Sequence, residues 1–228
     1  MIGKKKFIAV IPARAGSKRL KDKNILHLSG KPLLAWSIEA GLKSKYIDKV
    51  IVSSEDEKIL EIACDYDAQI IKRPHHLASD TATTFDTLKH TLENIESYDY
   101  IVLLQPTSPL REAKHIDEAI ELLQKNNADA IISVCKSDHS PLWSNTLPEN
   151  KSMENFLQNE IKNRRSQDLE SYYKLNGAIY ICNIKKLLEE ETLFLQENIF
   201  AFIMDKKSSI DIDDIIDFKL AEVLLNEK

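Results

Sequence analysis

The chain alternates short apolar runs with amphipathic helical patterns, and this alternation restricts the fold more than any other feature of the sequence. Runs that are apolar on both faces are typical of strands in a parallel sheet that helices cover on both sides. Their alternation with helices predicts an α/β fold with a doubly wound, mostly parallel sheet and right-handed crossovers. The predicted strands are residues 7–11, 49–53, 69–71, 100–104, 128–134, 176–182 and 201–204.

Helical periodicity fills the intervals between the predicted strands. Pro32 opens one predicted helix at the favoured first position, and residues 116–123 carry apolar side chains at helical spacing. Residues 213–226 form a final amphipathic helix. The rhythm breaks at residues 137–174, which we interpret as a small dimerisation insertion. We expect it to hold a β-hairpin or a helix that packs on a partner subunit.

Length, charge and cysteine content exclude several classes of protein. The 228 residues suit one large α/β domain, which we assign to residues 1–228, with the insertion as its subdomain. A net charge of −5 argues against a general nucleic-acid-binding role. Cys64, Cys135 and Cys182 are odd in number and far apart, so we expect core residues rather than a zinc site or disulfides. Without a signal sequence or membrane span, we expect a cytoplasmic protein.

A strongly basic segment, residues 11–24, follows the first predicted strand. Its like charges repel one another unless an anion lies among them, and Gly16, Ser17 and Asn24 add a tight turn and hydrogen-bond donors. It lacks both G-x-x-x-x-G-K-[ST] and G-x-G-x-x-G, which excludes two common phosphate loops. The segment predicts a polyphosphate-binding loop, with a solvated basic loop as the alternative. Its cations are Arg14, Lys18, Arg19, Lys21 and Lys23.

Residues 208–214 form the second candidate site. If the segment is extended, Asp211 and Asp213 lie on one face and the intervening isoleucines on the other. Neighbouring carboxylates raise each other's pKa unless a cation joins them, and Mg²⁺ commonly binds one or two carboxylates together with substrate phosphates. The segment therefore predicts a magnesium site. The alternative is that Asp213 caps the last helix.

Two further loops follow predicted strands, where ligands of such sheets bind. In residues 103–111, two prolines restrict a turn that presents Gln105, with an ordinary strand-to-helix turn as the alternative. Residues 72–84 form a small polar loop that suits a pocket for a base. This loop contains two adjacent histidines. Adjacent side chains rarely point the same way, so these residues do not predict a metal site.

These segments, taken in order, resemble the N-acylneuraminate cytidylyltransferases, also called CMP-sialic acid synthetases. The match covers most of the chain and is carried by IPARAGSKRLKDKN, RPHHLASDTATT, LLQPTSPLR, NGAIYI and SIDIDD. The resemblance implies a Rossmann-like nucleotidyltransferase fold and a homodimer. It also implies that CMP passes from CTP to the anomeric 2-hydroxyl of a nine-carbon nonulosonic acid of the sialic acid type. Pyrophosphate is then the second product and Mg²⁺ the cofactor.

The resemblance also implies roles for individual residues. Lys23 matches the family's essential lysine, so the expected catalytic residues are Lys23, Arg14 and Asp211. The expected Mg²⁺ ligands are Asp211 and Asp213. The expected nucleotide-binding residues are Arg14, Ser17, Lys18, Lys23, Asn24, Arg73, Ala82 and Thr84. Of these, Arg73, Ala82 and Thr84 match positions that read cytosine. The expected sugar-binding residues, partly reached from the neighbouring subunit, are Gln105, Arg165, Lys174 and Tyr180.

Three positions depart from the family pattern. Lys21 stands where many members have Pro, and Lys174 stands where some have Arg. Trp143 replaces a lysine that contacts the sugar in some members, which makes a less polar sugar, N,N'-diacetyllegionaminate, an alternative substrate. The eight-carbon 3-deoxy-octulosonate is a further alternative. The alternative from another class is a nucleotide-binding protein without turnover.

Overall fold

The protein is built on a seven-stranded sheet, accompanied by a separate two-stranded hairpin. The computed structural model describes residues 5–227, without the side chain of Ser166. The strands are β1 Phe7–Pro12, β2 His27–Leu28, β3 Lys31–Pro32, β4 Ile47–Ser54, β5 Gln69–Lys72, β6 Tyr100–Leu103, β7 Ala130–Lys136, β8 Tyr173–Asn183 and β9 Ile199–Met204. The helices are α1 Leu33–Leu42, α2 Glu57–Asp65, α3 Thr84–Glu93, α4 Ala113–Lys125, α5 Ile184–Glu190 and α6 Ile215–Asn226.

The strand order of the large sheet is β5-β4-β1-β6-β8-β7-β9. Strand β8 runs antiparallel to both of its neighbours, β6 and β7, and the other neighbouring pairs are parallel. This arrangement confirms the predicted doubly wound, mostly parallel sheet.

Helices cover both faces of this sheet. Leu34 of α1, Ile59 of α2 and Ile116 of α4 pack in one buried apolar cluster. Leu88 of α3 and Leu187 of α5 pack in a second cluster, which covers the opposite face of the sheet. The inner strands are therefore buried on both faces, which is the reason their central residues are apolar, whereas the edge strands β5 and β9 stay partly exposed.

A third apolar cluster joins α6 to the β2–β3 hairpin through Leu28, Phe218 and Ala221. The hairpin turns at Ser29 and Gly30, both with positive φ (48° and 92°), as a tight two-residue turn requires. Ile212 is fully buried in this cluster. The cluster therefore anchors the segment that carries Asp211 and Asp213 next to the large sheet.

The order of strands changes direction at β1. From β1 the chain adds β4 and then β5 on one side, and β6 lies on the other side. The carboxyl ends of β1 and β6 therefore border the crevice in which doubly wound sheets bind their ligands. The basic segment follows β1, and the Gln105 turn follows β6.

Two predicted helix starts need correction. Pro32 is the N-cap of α1, which begins at Leu33, so it stands one position earlier than predicted. Helix α6 begins at Ile215, and its N-cap is Asp214, whose carboxylate accepts hydrogen bonds from two amides of the first turn. The interpretation of Asp213 as the cap is therefore wrong, and its carboxylate is free to take other partners.

The connection between β7 and β8 also differs from expectation. Its described residues, 137–172, contain two short 3-10 turns, Pro141–Trp143 and Ser166–Asp168, and neither a hairpin nor an α-helix. Strand β8 begins at Tyr173 and pairs with the end of β7, so this segment is the long loop of the β7–β8 hairpin.

Cys135 and Cys182 are buried, as predicted, but Cys64 is exposed on α2, so its assignment to the core is wrong. All three cysteines are free. Over residues 5–227, the structure contains no helix that is both long and apolar enough to cross a bilayer.

Candidate active site

A pocket of about 540 Å³ lies at the carboxyl ends of β1 and β6. Its walls come from the basic segment, from the turn after β6 and from the aspartate segment before α6, which are distant in sequence. Four of its lining residues are cationic and one is acidic, so the pocket favours a polyanion. The charged and polar residues of its lining are Arg14, Ser17, Lys18, Arg19, Lys23, Asn24, Gln105, Thr107 and Asp213.

Three cations of the basic segment form ion pairs with carboxylates from two other loops. Arg14 Nη1 lies 3.1 Å from Asp80 Oδ1, and Lys18 Nζ lies 2.6 Å from Asp80 Oδ2. Arg19 Nη1 lies 2.7 Å from Asp213 Oδ2. Hydrogen bonds from Lys18 and Arg14 hold the pKa of Asp80 below its usual value. An entering polyanion must therefore replace these carboxylates as the partner of the cations.

Lys23 connects the basic segment to the aspartate segment. Its Nζ donates a hydrogen bond of 2.5 Å to the main-chain oxygen of Ile212. Burial lowers the pKa of Lys23, while the charges of Asp213 and Asp211 act in the opposite direction. The ammonium group therefore lies half-buried on the wall of the pocket, where its charge is poorly screened by solvent.

Asp211 lies in a different environment from Asp213. Burial raises the pKa of the Asp211 carboxyl, and the charge of Asp213 raises it further. A hydrogen bond with Thr107 and the charge of Lys23 oppose this rise. A cation near Asp211 and Asp213 would remove the cost of placing two carboxylates side by side.

The chemistry of these two side chains fits a magnesium ion. Ile212 is fully buried, whereas the flanking Asp211 and Asp213 keep access to solvent at the edge of the pocket, so the carboxylates alternate with it along the segment as predicted. Within residues 5–227, no group of three His, Cys, Asp or Glu side chains converges as a complete metal site. An ion held by Asp211 and Asp213 would therefore take its remaining oxygen ligands from substrate and water, as Mg²⁺ commonly does.

Arg73 lies behind the basic segment rather than on the pocket wall. Its Nη2 donates to Glu55 Oε2 (3.0 Å) and to the main-chain oxygen of Ala13 (3.3 Å). Glu55 Oε1 also accepts a hydrogen bond from the amide of Ala15 (2.9 Å). Burial lowers the pKa of Arg73, against the effect of Glu55. The Arg73–Glu55 pair thus braces the start of the basic segment.

The remaining predicted nucleotide-binding residues lie in two places. Ser17 and Asn24 line the pocket, and buried Asn24 donates through Nδ2 to the main-chain oxygen of Arg14 (2.9 Å), which holds the two ends of the basic segment together. Ala82 and Thr84 lie outside the pocket lining, at the start of α3. The loop that carries them reaches the pocket through Arg14 Nη1, which lies 3.5 Å from the main-chain oxygen of Ala78.

Gln105 and Asp211 meet at Gly177. A Cβ atom built on Gly177 would lie 2.6 Å from Gln105 Oε1 and 3.6 Å from Asp211 Oδ2. Gly177 has φ of +73°, in the left-handed region that favours glycine. The absence of a side chain on β8 therefore makes room for the carboxamide of Gln105 beside a carboxylate that fits a metal ion.

The structure does not bring the other three predicted sugar-binding residues to the pocket lining. Tyr180 is buried on β8, with its ring edge-on to Phe194 at a centroid distance of 6.2 Å. Burial raises its pKa, with a smaller contribution from Asp211. Lys174 is exposed, and Arg165 forms an ion pair with Asp168 (3.1 Å).

Sequence reasoning missed the two carboxylates that organise the basic segment, Glu55 and Asp80. Glu55 directly follows β4, at the same edge of the sheet as the basic segment. Asp80 lies in the loop of residues 72–84, whose sequence suits a pocket for a base. Each of these loops contains an acidic residue and follows a strand that ends near the basic segment. That combination could have predicted that the acidic residues pair with its cations.

A family model for cytidylyltransferases matches residues 8–228. The chain belongs to this cytidylyltransferase family. It is 41% identical over 224 residues to N-acylneuraminate cytidylyltransferase of Escherichia coli O18:K1:H7. That alignment covers 98% of this chain and 53% of the relative. It is 35% identical over 231 residues to CMP-N,N'-diacetyllegionaminic acid synthase of Legionella pneumophila, which covers 96% of each. The chain thus spans about half the length of the first curated relative and nearly all of the second.

A solved structure gives independent support for the fold of this chain. That structure is described as CMP:2-keto-3-deoxy-manno-octonic acid synthetase complexed with CTP. It superposes with a TM-score of 0.75 at 17% sequence identity, and the match covers 97% of this chain and 99% of that one. The doubly wound nucleotidyltransferase fold is therefore shared even where the sequences have diverged.

Proposed function

We propose that this protein transfers CMP from CTP to the anomeric 2-hydroxyl of a nonulosonic acid, with release of pyrophosphate. The sugar oxygen bonds to the α-phosphorus of CTP as the bond from that phosphorus to the bridging oxygen of the β-phosphate breaks. The hydroxyl loses its proton, and the leaving electrons go to pyrophosphate. The observation that carries this proposal is the pocket in which four cations face Asp213 across the carboxyl ends of β1 and β6.

The basic segment fits the triphosphate in this reaction. Arg14, Lys18 and Lys23 hold charge where the leaving pyrophosphate becomes more negative, and such positioned charge is the main contribution of protein to phosphoryl transfer. Ser17 and Asn24 add polar groups on the same wall. We assign cytosine recognition to the loop of residues 73–84.

Asp211 and Asp213 are the proposed Mg²⁺ ligands. When bound, the ion supplies charge neutralisation for the phosphate oxygens. The protein contributes the placement of both carboxylates: Ile212 fixes them through its buried side chain, and its main chain bonds to Lys23 and Thr107. Asp213 would have to exchange its ion pair with Arg19 for the metal.

Names of the relatives support two kinds of candidate sugar, an N-acylneuraminate and N,N'-diacetyllegionaminate. Gln105, on the floor of the pocket beside Gly177, is the residue we assign to the sugar. Trp143 lies in the β7–β8 loop, outside the pocket lining of its own chain, so its apolar ring would favour the diacetamido sugar from a partner's pocket.

We further propose a homodimer in which the β7–β8 loop of one subunit completes the sugar site of the other. Arg165 and Lys174 are exposed and lie outside the pocket lining of their own chain, so a partner's pocket is the place where they can act. Use of CTP would locate the reaction in the cytoplasm.

A pyrophosphate-release assay tests the proposed function. The protein is incubated with CTP and Mg²⁺, and with N-acetylneuraminate, N,N'-diacetyllegionaminate, pseudaminate, 3-deoxy-octulosonate or no sugar. We expect release only with a nonulosonic acid, and none when EDTA removes the Mg²⁺. CTP binding by folded protein without turnover on any of these sugars would contradict the proposal and favour a nucleotide-binding protein.

A further inference from the structure

Arg111 is a buried cation without an acidic partner. The residue is 1% exposed, and no carboxylate among the described residues forms an ion pair with it. Its Nη1 has no hydrogen-bond partner within the described part of the chain. Burial lowers the pKa of Arg111 to about 9. Burying an unpaired charge is unfavourable, so a purely structural role would be filled at lower cost by an apolar side chain.

The other nitrogens of Arg111 hold two separate stretches of main chain. Nε donates to the oxygen of Ala178 (3.3 Å), and Nη2 donates to the oxygen of Gln105 (3.3 Å) and to Ser37 Oγ (2.7 Å). Ser37 Oγ in turn donates to the oxygen of Gln105 (3.1 Å). The guanidinium therefore links the turn after β6 to strand β8, with a serine of α1 as a third point.

Both stretches carry residues of the pocket. The first presents the Gln105 side chain, and the second continues from Gly177, over which the Gln105 carboxamide lies. The same turn also holds the aspartate segment, because the oxygen of Thr107 accepts a hydrogen bond from the amide of Ile212 (2.8 Å). A shift of this turn would therefore move Gln105 and both aspartates together.

We propose that Arg111 is a positioning residue that sets the sugar-facing wall of the pocket and, through Thr107, the site of the two aspartates. This inference rests on the proposed function. Arg111 acts through Gln105 and Ile212, since its own guanidinium is enclosed beneath the turn. The directional bonds to two carbonyl groups are the reason for a guanidinium here, because neither an apolar side chain nor an ammonium provides the same fork of donors.

The test compares Arg111→Met with the unchanged protein. Methionine has a similar length and removes the charge and every donor. We expect melting at an equal or higher temperature, because the unpaired charge is gone. We expect amide exchange at Ile212 to become about tenfold faster, and the KM for the sugar to rise about tenfold or more, since displacements near 1 Å can cost about 100-fold in rate. The KM for CTP should rise less than the KM for the sugar, because most of the contacts to the triphosphate come from the basic segment rather than from this turn.

Two further variants keep the test decisive. Ser37→Ala removes one contact to the Gln105 oxygen but leaves the charge, so we expect a smaller change of the sugar KM in the same direction. If Arg111→Met does not fold, Arg111→Lys keeps the charge without the fork and should still raise the sugar KM. An unchanged sugar KM and an unchanged exchange rate at Ile212 in a folded variant would overturn the inference. Equal increases of both KM values would do the same.

The exchange measurement also separates this inference from the proposed function. It is made on protein without substrates and reports directly on the bond between Ile212 and the turn. If the unchanged protein turns over no sugar, the proposed function fails, while faster exchange at Ile212 in Arg111→Met still supports the link from Arg111 to the turn.

Discussion

Replacement of Gly177 by alanine gives the most direct test of the geometry at the sugar-facing wall. The new Cβ would lie 2.6 Å from Gln105 Oε1, closer than non-bonded atoms approach, so the carboxamide must move. That oxygen is the end of a flexible side chain, and its displacement costs little stability. The measurable loss of stability should instead come from the backbone, because φ is +73°.

The backbone cost can be estimated from the conformation. A non-glycine residue in the left-handed region costs about 1–2 kcal/mol. In a domain of about 150–250 residues, each kcal/mol lowers Tm by about 2–4 °C, so we expect Gly177→Ala to lower Tm by about 2–8 °C. The displaced carboxamide should also raise the KM for the sugar, with little effect on the KM for CTP.

Gly30→Ala is the matched control. Gly30 also has positive φ, at +92°, but a Cβ there would contact nothing within 4 Å. Both variants should therefore lose stability by scanning calorimetry, whereas Gly177→Ala alone should change the sugar KM in steady-state assays at saturating CTP. A normal sugar KM in Gly177→Ala, with the expected loss of Tm, would refute the placement of Gln105 at the sugar.

Three other predictions concern the charged groups. Lys23→Ala should lower turnover by about 100- to 1,000-fold with an unchanged circular dichroism spectrum, whereas exposed Lys21→Ala in the same segment should stay near normal; equal losses would contradict a special role for Lys23. Asp211→Asn should abolish turnover yet melt at a higher temperature than the parent in metal-free buffer at pH 7. The pKa of Asp211 is raised in the folded protein, so the parent loses stability as the pH rises from the unfolded pKa through the folded pKa. The difference in Tm between Asp211→Asn and the parent should therefore vanish towards about pH 3. A difference that stays constant with pH would contradict this. Asp80→Asn should bind inorganic tripolyphosphate several-fold more tightly than the parent by calorimetry at low salt, and this gain should shrink at about 0.5 M NaCl. The remote control Glu96→Gln should bind it as the parent does. Weaker binding by Asp80→Asn would show instead that Asp80 supports the site.

The sheet and one wall of the site could be predicted from local patterns. Strand β1 and residues 50–52 of β4 are apolar because both of their faces are covered, and that property is visible in single runs of sequence. The basic segment predicts an anion-binding loop because its five clustered cations repel one another unless an anion lies among them. The alternation of Asp211 and Asp213 around an apolar residue was equally local.

Features that depend on long-range pairing could not be predicted in this way. The partners of Arg73 and Arg14 come from other loops, and nothing near either arginine in sequence identifies Glu55 or Asp80. The cap of α6 was misassigned because three aspartates stand close together, and only their bonds show that Asp214 holds the first turn. The β7–β8 loop lacks periodicity, so no pattern distinguished a hairpin or a helix from irregular chain.

Ile212 has a consequence for the order in which the protein acquires its chemistry. Its carbonyl holds Lys23, which lies 189 positions earlier in the chain, and its amide holds the turn after β6. During synthesis, the basic segment therefore emerges long before the aspartates that face it. Contacts of such long sequence separation form late in folding because their loops are costly to close. The nascent chain can already expose an anion-binding loop, but a pocket able to pair a metal with a triphosphate can form only after residue 212 has joined the fold.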